Sequence, residues 1–281
     1  MEQSQLSPDR WFIAIDIDGT LVHDDGYLSD RVVSEVSRVR ELGHEVVIAT
    51  GRAAANAHPI AHQLGIREGH AVTSNGAVTI RINPMIRLGY EVVDIVTFDP
   101  APVLTKLIDS LPNAHFAVED TDGSYRFHRP FPNYSLGERN YETPLDDLLS
   151  KPVSRVVVLS PDHDTQEFLQ LTSEIGLHSV SYSIGYTAWL DIAPDGVDKG
   201  SALHRVRDNT SIPHHRTLVI GDGRNDIEMF RWARAGGGYA FAMGQAPDEV
   251  KLEASAVTAA VDQDGVAEVL ASLEGLEFGI D

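Results

Sequence analysis

Through the first eighty residues, apolar positions alternate between a strand-like and a helical period. Trp11 to Ile15 is a short apolar run that reads as a strand. Val32, Val33, Val36, Val39 and Leu42 then repeat at helical spacing, with Ser29 as the N-cap and Gly43 as the stop. Glu45 to Ala49 is a second strand, 53–64 a helix closed by Gly65, and Ala71 to Thr73 a third strand. That strand runs into Ser74-Asn75-Gly76, a turn signal. The βαβαβ order predicts a doubly wound, mostly parallel α/β sheet with sites at the carboxyl ends of its strands.

After about residue 83 the character changes. Ala114 to Val118, Ser124 to His128, Val153 to Leu159, His178 to Ile184 and Thr187 to Ile192 alternate polar and apolar, which predicts antiparallel strands with one covered face. Helical stretches near 100–111 and 164–175 separate some of them, and Pro130 and Pro132 mark a loop. From 199 the first pattern resumes: helices over 199–208, Asp226 to Ala235, Pro247 to Ala254 and Gly265 to Leu273, with strands at Arg216 to Ile220 and Tyr239 to Met243. The expected organisation is a discontinuous core, 1–82 and 191–281, interrupted by an α+β module over 83–190.

The formal net charge of −20 argues against a nucleic-acid partner, which needs a basic face, and against docking on anionic lipid. With no cysteine, disulfides and thiol chemistry are excluded. Met1 to Arg10 is polar and has no apolar signal core, and no apolar run reaches the length of a membrane span, so the cytoplasm is the expected location.

Four aspartates change the picture most. Asp16 and Asp18 follow the first strand; Asp222 and Asp226 follow the strand at 216–220. If both strands share one parallel sheet, these carboxylates crowd one crevice. Two like charges about 4 Å apart repel by roughly 4 kcal/mol at an effective dielectric near 20, so a cation is called for, and an oxygen-only site suits Mg²⁺. Asp16 can project as a nucleophile, and period-two geometry puts Asp18 on the same side. One ionised and one protonated carboxyl group is a division of labour that needs their pKa values pushed apart. Thr50 and Gly51 offer a hydroxyl and a backbone N–H as a phosphate clasp. Lys199 can supply an ammonium, and Asn225 and Asp226 sit at a helix start that favours anions.

Asp16-Ile17-Asp18-Gly19-Thr20-Leu21 resembles the first motif of the haloacid dehalogenase (HAD) superfamily. Thr50-Gly51-Arg52 resembles the second, Lys199 the third, and Gly221-Asp222-Gly223-Arg224-Asn225-Asp226 the fourth. Asp195 to Gly200, Ala242-Met243-Gly244, Ala246 to Lys251 and Asp264 to Ala267 are similar to the Cof-type branch, which carries a C2B cap between its second and third motifs. The resemblance implies Asp16 as nucleophile and Asp18 as acid, then base. It implies Mg²⁺ on Asp16, the Asp18 carbonyl and Asp222, with Asp226 acting through water. It implies phosphate contacts from Thr50, Gly51, Lys199, Asn225 and the Ile17 N–H. Gln245 departs from the branch, which has Asn there, so no contact is carried over to it. Asp18 separates the chain from dehalogenases, which lack an acid there, and from P-type pumps, which have Thr. The implied activity is Mg²⁺-dependent hydrolysis of a small phosphomonoester, a sugar phosphate or a phosphorylated cofactor such as pyridoxal phosphate or flavin mononucleotide. A phosphomutase and a phosphate-sensing regulator are the other readings.

Other chemistry-bearing residues have plainer expectations. His58 and His62, at i and i+4 with Pro59 between them, read as a solvated helix face rather than a metal pair. His214-His215 reads as surface, Asp146-Asp147 as a helix-start cluster, Asn75 as a turn residue and Trp189 as packing. Arg126, His128 and Arg129 read as the exposed face of a strand more than as substrate contacts.

Overall fold

The structure is a computed structural model that describes residues 10–132, 136, 139–175, 180–184 and 188–273. The stretch expected to lack a signal core lies outside it except for Arg10, as do His178, Ser179 and Thr187 of the expected strands.

The first half of the larger unit contains β1 (Phe12–Ile15), α1 (Asp30–Glu41), β2 (Glu45–Ala49), α2 (Ala54–Gln63), β3 (Gly69–Thr73), β4 (Val78–Ile82) and β5 (Tyr90–Ile95). The chain continues through α3 (Ala101–Ser110), β6 (His115–Glu119), β7 (Tyr125–Phe127), β8 (Asn140–Glu142), α4 (Leu145–Leu148), β9 (Arg155–Leu159), α5 (Thr165–Ile175), β10 (Val180–Ile184) and β11 (Trp189–Pro194). It returns with α6 (Lys199–Asp208), β12 (Thr217–Gly221), α7 (Ile227–Ala235), β13 (Tyr239–Ala242), α8 (Asp248–Glu253), β14 (Ala256–Val257) and α9 (Gly265–Ala271).

Among the described residues the strands form two sheets, β14-β13-β12-β1-β2-β3-β4-β5 and β10-β11-β9-β6-β7-β8. In the larger sheet β14 through β3 run parallel, and β4 and β5 are antiparallel additions. Period-two alternation sends its side chains into two cores. Ile13, Ile15, Val46, Ile48, Leu218 and Ile220 pack with Val36 and Val39 of α1 and Leu270 of α9. Phe12, Ala14, Val47 and Val219 pack on the opposite face with Leu203 of α6 and Met229 and Phe230 of α7. Burial on both faces explains why these strands read as continuous apolar runs.

The smaller sheet is covered on one face only. Phe116, Val118, Val156, Val158, Leu190 and Ile192 pack with Leu104 and Leu107 of α3 and Phe168 of α5. The alternate positions, with Tyr125 and Val157 buried, cluster with Ala53 at the start of α2. The uncovered face of this sheet therefore lies over the carboxyl edge of the larger one.

The expected division at 82/83 falls inside a sheet. β5, placed in the inserted module by sequence, pairs with β4 in register Ile82↔Tyr90 to Val78↔Ile95 and belongs to the larger sheet. It is an edge strand with Val92 and Val93 about half exposed, so it carries no apolar run to announce it. At the return, β11 pairs with β10 as far as Pro194, beyond residue 190. The expectation of antiparallel strands holds for most of the small sheet, but β7 and β8 run parallel. Among the described residues no helix is long and apolar enough to cross a membrane.

Candidate active site

β1 and β12 lie side by side with Ile15 opposite Ile220, and the Asp16 N–H donates to the Ile220 carbonyl at 3.0 Å. This register brings the two aspartate loops to one edge. One carboxylate oxygen each from Asp16, Asp222 and Asp226 lies within 4.8 Å of the others, and all three residues are buried. Lys199 opens α6, whose start is fixed by a reciprocal cap: the Ser201 N–H donates to Asp198 Oδ1 at 2.7 Å and the Asp198 N–H to Ser201 Oγ at 3.0 Å. From there the fully buried Lys199 side chain reaches both loops. Its Nζ donates to Asp16 Oδ1 and to Asp226 Oδ1, each at 2.6 Å.

The second oxygen of Asp226 accepts the backbone N–H groups of Asp222 and Gly223, each at 2.9 Å. Both Asp226 oxygens are thus taken up by the chain itself. The Thr20 hydroxyl donates to Asp222 Oδ1 at 3.2 Å. Gly19 has φ +74°, and a Cβ there would collide with the Asp222 carboxylate, so the tight loop after Asp18 requires glycine on two counts.

Burial drives the Asp16 carboxyl well above the ordinary carboxylate range; Lys199 opposes the rise, and Asp226, Asp222 and Asp18 add to it. Burial pushes Lys199 down, but Asp16 and Asp226 outweigh it and hold the ammonium charged. Three carboxylates against one ammonium leave a negative excess in a buried, all-oxygen site. That donor set fits a hard divalent cation such as Mg²⁺.

A family model described as a haloacid dehalogenase-like hydrolase matches residues 13–270. The chain belongs to the haloacid dehalogenase-like hydrolase family. It is 27% identical over 273 residues, 92% of this chain and 96% of the relative, to the 5-amino-6-(5-phospho-D-ribitylamino)uracil phosphatase YitU of Bacillus subtilis strain 168. It is 28% identical over 258 residues, 92% of this chain and 94% of the relative, to a phosphoglycolate phosphatase of Archaeoglobus fulgidus. The fold superposes on the HAD subclass IIB sugar phosphatase BT4131 with a TM-score of 0.78 at 21% identity, covering 94% of this chain and 99% of that one. These matches bear out the resemblance to Cof-type HAD phosphatases: the chain is a phosphoric monoester hydrolase of that superfamily.

In this hydrolase Asp16, Asp18, Gly51, Asp222 and Asn225 line one cavity of about 280 Å³. Ile17 and Thr50 are buried. The Ile17 carbonyl accepts the N–H groups of Thr20, Leu21 and Val22, and the Thr50 hydroxyl accepts the Arg52 N–H at 3.1 Å. Asp18 is exposed, and Arg52 grips it with Nε at 2.9 Å from Oδ2 and a terminal nitrogen at 2.6 Å from Oδ1. Burial lowers the Arg52 pKa, but the hydrogen bond and charge of Asp18, with the charge of Asp16, together outweigh it and raise it.

Several residues that the sequence reading passed over belong to the site. Asn75, expected only as a turn residue, has φ +53° and accepts from Asn225 Nδ2 at 3.0 Å. Its own Nδ2 is 3.4 Å from Asp191 Oδ2. Gln245, to which no contact was carried over, spans two loops: Nε2 donates to the Gly19 carbonyl at 2.5 Å and Oε1 accepts the Val261 N–H at 3.1 Å. The small sheet contributes a buried polar group. Glu119 accepts Ser74 Oγ at 2.9 Å, Arg155 Nε at 3.0 Å and the Tyr125 hydroxyl at 3.0 Å. Arg155 also bonds the Gly51 carbonyl and lies 3.5 Å from Asp191. Burial raises Asp191 despite Arg155.

Arg126 corrects an expectation: it is buried, paired to Asp120 at 2.8 Å and bonded to the Asp147 carbonyl, so it is neither an exposed strand residue nor part of the cavity. Trp189 packs edge-on against Phe131 and lines the cavity as well. His58 lies against Tyr90, and the three aspartates are the metal-competent group found among the described residues. His214, expected at the surface, is half-buried against Trp232.

Proposed function

We propose that this hydrolase releases phosphate from a small phosphomonoester through an aspartyl-phosphate on Asp16, with Mg²⁺ as cofactor. The observation that carries the reading is the buried Lys199 ammonium 2.6 Å from both Asp16 and Asp226, with Asp222 in the same cluster. Asp16, Asp222 and the Asp18 carbonyl would hold the metal. Asp226 would act on it indirectly, since its oxygens are occupied by Lys199 and two backbone N–H groups. The metal supplies positive charge to the phosphoryl oxygens.

The protein's own groups do the rest. An Asp16 oxygen forms a bond to phosphorus as the ester oxygen leaves, and Asp18 gives that oxygen its proton. Asp18 then takes a proton from the water that attacks phosphorus, which frees Asp16 and inorganic phosphate. Arg52 grips Asp18 in this structure, so the pair must open for the first proton transfer. Lys199 balances charge on Asp16 and on the phosphoryl group. The Thr50 hydroxyl, the Gly51 loop, the Asn225 amide and the Ile17 N–H orient the phosphoryl oxygens.

A sugar phosphate or a phosphorylated cofactor is the substrate class. The named substrates of the relatives, a phosphoribitylamino-uracil and phosphoglycolate, are small phosphorylated metabolites and support that size. A panel of phosphorylated metabolites assayed for phosphate release with and without Mg²⁺ tests the reading. Metal-dependent release is expected; no release from any member would refute it.

A further inference from the structure

Asn75 lies outside all four sequence motifs, yet it touches two of the groups expected at the phosphoryl group. It sits in the turn after β3, and that turn is built onto the clasp loop. The Ser74 N–H donates to the Arg52 carbonyl at 2.9 Å and the Asn75 N–H to the Thr50 carbonyl at 3.1 Å. Ser74 and Asn75 both have left-handed backbones, φ +51° and +53°. Such a conformation in non-glycine residues costs energy and persists where the surroundings impose it. The Asn75 side-chain amide lies against Gly51: a Cβ there would come within 3.1 Å of its Oδ1 and 3.3 Å of its Nδ2.

The orientation of this amide is set from the small sheet. Asp191 of β11 faces three donors, Arg155, the Trp189 indole and Asn75. A carboxylate held in this way accepts and does not donate, so Asn75 turns its Nδ2 toward it, at 3.4 Å. The Asn75 oxygen is then the end that meets Asn225. An amide oxygen only accepts, so Asn225 presents its Nδ2, at 3.0 Å. The Asn225 oxygen lies to the other side, where a Cβ on Gly223 would come within 2.6 Å of it. The Nδ2 of an asparagine carries two N–H groups. One goes to Asn75, and the second stays on a residue that lines the cavity with Asp16 and Gly51. Turned over, the same amide would offer its oxygen to anionic phosphoryl oxygens and repel them.

We infer that Asn75 is a positioning residue for the phosphoryl group: aligned by the Asp191 carboxylate, it fixes the Asn225 amide as a donor. The inference rests on the reading of Asn225 as a phosphate contact and deepens it by identifying what orients that contact. The small sheet thereby acts on the phosphate site through a line of one carboxylate and two amides.

The test measures the dissociation constant of inorganic phosphate from the Mg²⁺-loaded protein by calorimetry, together with kcat and KM for p-nitrophenyl phosphate. Asn75→Gly keeps the left-handed backbone and removes the amide. It is expected to weaken phosphate binding and raise KM by about tenfold. Asn225→Ala should cost at least as much. Adding Asn75→Gly to Asn225→Ala should cost nothing further, because the group that Asn75 orients is gone. Asp191→Asn keeps the size of the side chain but no longer dictates which end of Asn75 faces it. It is expected to weaken phosphate by about threefold in the parent and to have no effect in the Asn75→Gly background. Equal losses from Asn75→Gly in the parental and Asn225→Ala backgrounds would overturn the inference and leave the proposed function intact. So would parental phosphate affinity in Asn75→Gly, or the same loss from Asp191→Asn with and without Asn75. Parental affinity in Asn225→Ala would overturn the Asn225 contact and this inference with it. A parent protein that neither binds phosphate nor hydrolyses p-nitrophenyl phosphate would overturn the proposed function as well.

Discussion

Lys199 Nζ stands 2.6 Å from Asp16 Oδ1 although 183 residues separate them in the chain. Parallel β1 and β12 bring the aspartates together, and the capped start of α6 delivers the lysine into the gap between them. Removing one partner of such a buried group leaves the others uncompensated. Lys199→Met is therefore expected to lower the unfolding free energy by roughly 3–5 kcal/mol, read from urea unfolding at neutral pH without metal. An unchanged midpoint would mean that the ammonium does not balance these carboxylates.

The raised Asp16 pKa couples metal binding to pH. Because the folded protein holds the Asp16 proton more tightly than the unfolded chain does, this group's contribution to metal-free stability declines as pH rises above about 4 toward the elevated folded value. Mg²⁺ binds the deprotonated form and competes with that proton. The rise in melting temperature on adding Mg²⁺ should therefore grow between pH 5 and pH 8, measured by scanning calorimetry at fixed ionic strength. An increment that is flat or shrinks with pH would contradict the assignment of Asp16 as a ligand.

Gln245 ties the loop after Asp18 to the segment at Val261 through both ends of its amide. Gln245→Asn shortens the reach, so one of the two bonds is lost. The expected cost is about 0.5–1.5 kcal/mol of stability. A variant as stable as the parent would show that the shorter amide spans the same gap.

Glu119, Arg155 and Asp191 form a buried charged group in the small sheet that also bonds the Gly51 carbonyl of the larger unit. Arg155→Met leaves two carboxylates without their cation and is expected to cost roughly 3–5 kcal/mol. Arg155→Met combined with Glu119→Leu should recover part of that loss, because one stranded charge goes with it. Additive losses in the double variant, by urea unfolding, would show that the pair is not coupled.

The legible parts of this fold were those with a local signature. β1, β2 and β12 are buried on both faces and read as apolar runs; α1 and α6 carry polar caps at Ser29 and Asp198. The aspartates, Lys199 and the glycine turns were found because each stands at an element boundary. β5 was passed over, since an edge strand with Val92 and Val93 exposed resembles a loop in its pattern. Arg126 was read as exposed because a charge in an alternating strand ordinarily faces water; Asp120 compensates it inside. The pairs Arg52–Asp18 and Arg155–Glu119 join residues 34 and 36 positions apart, a spacing that carries no periodic trace.

Asp16→Asn tests the central claim most directly. The amide keeps the size of the side chain and removes the carboxylate that would attack. Mg²⁺-dependent phosphate release from a substrate that the parent enzyme turns over is expected to fall to background in this variant. Release at the parental rate would show that Asp16 is not the residue that attacks phosphorus.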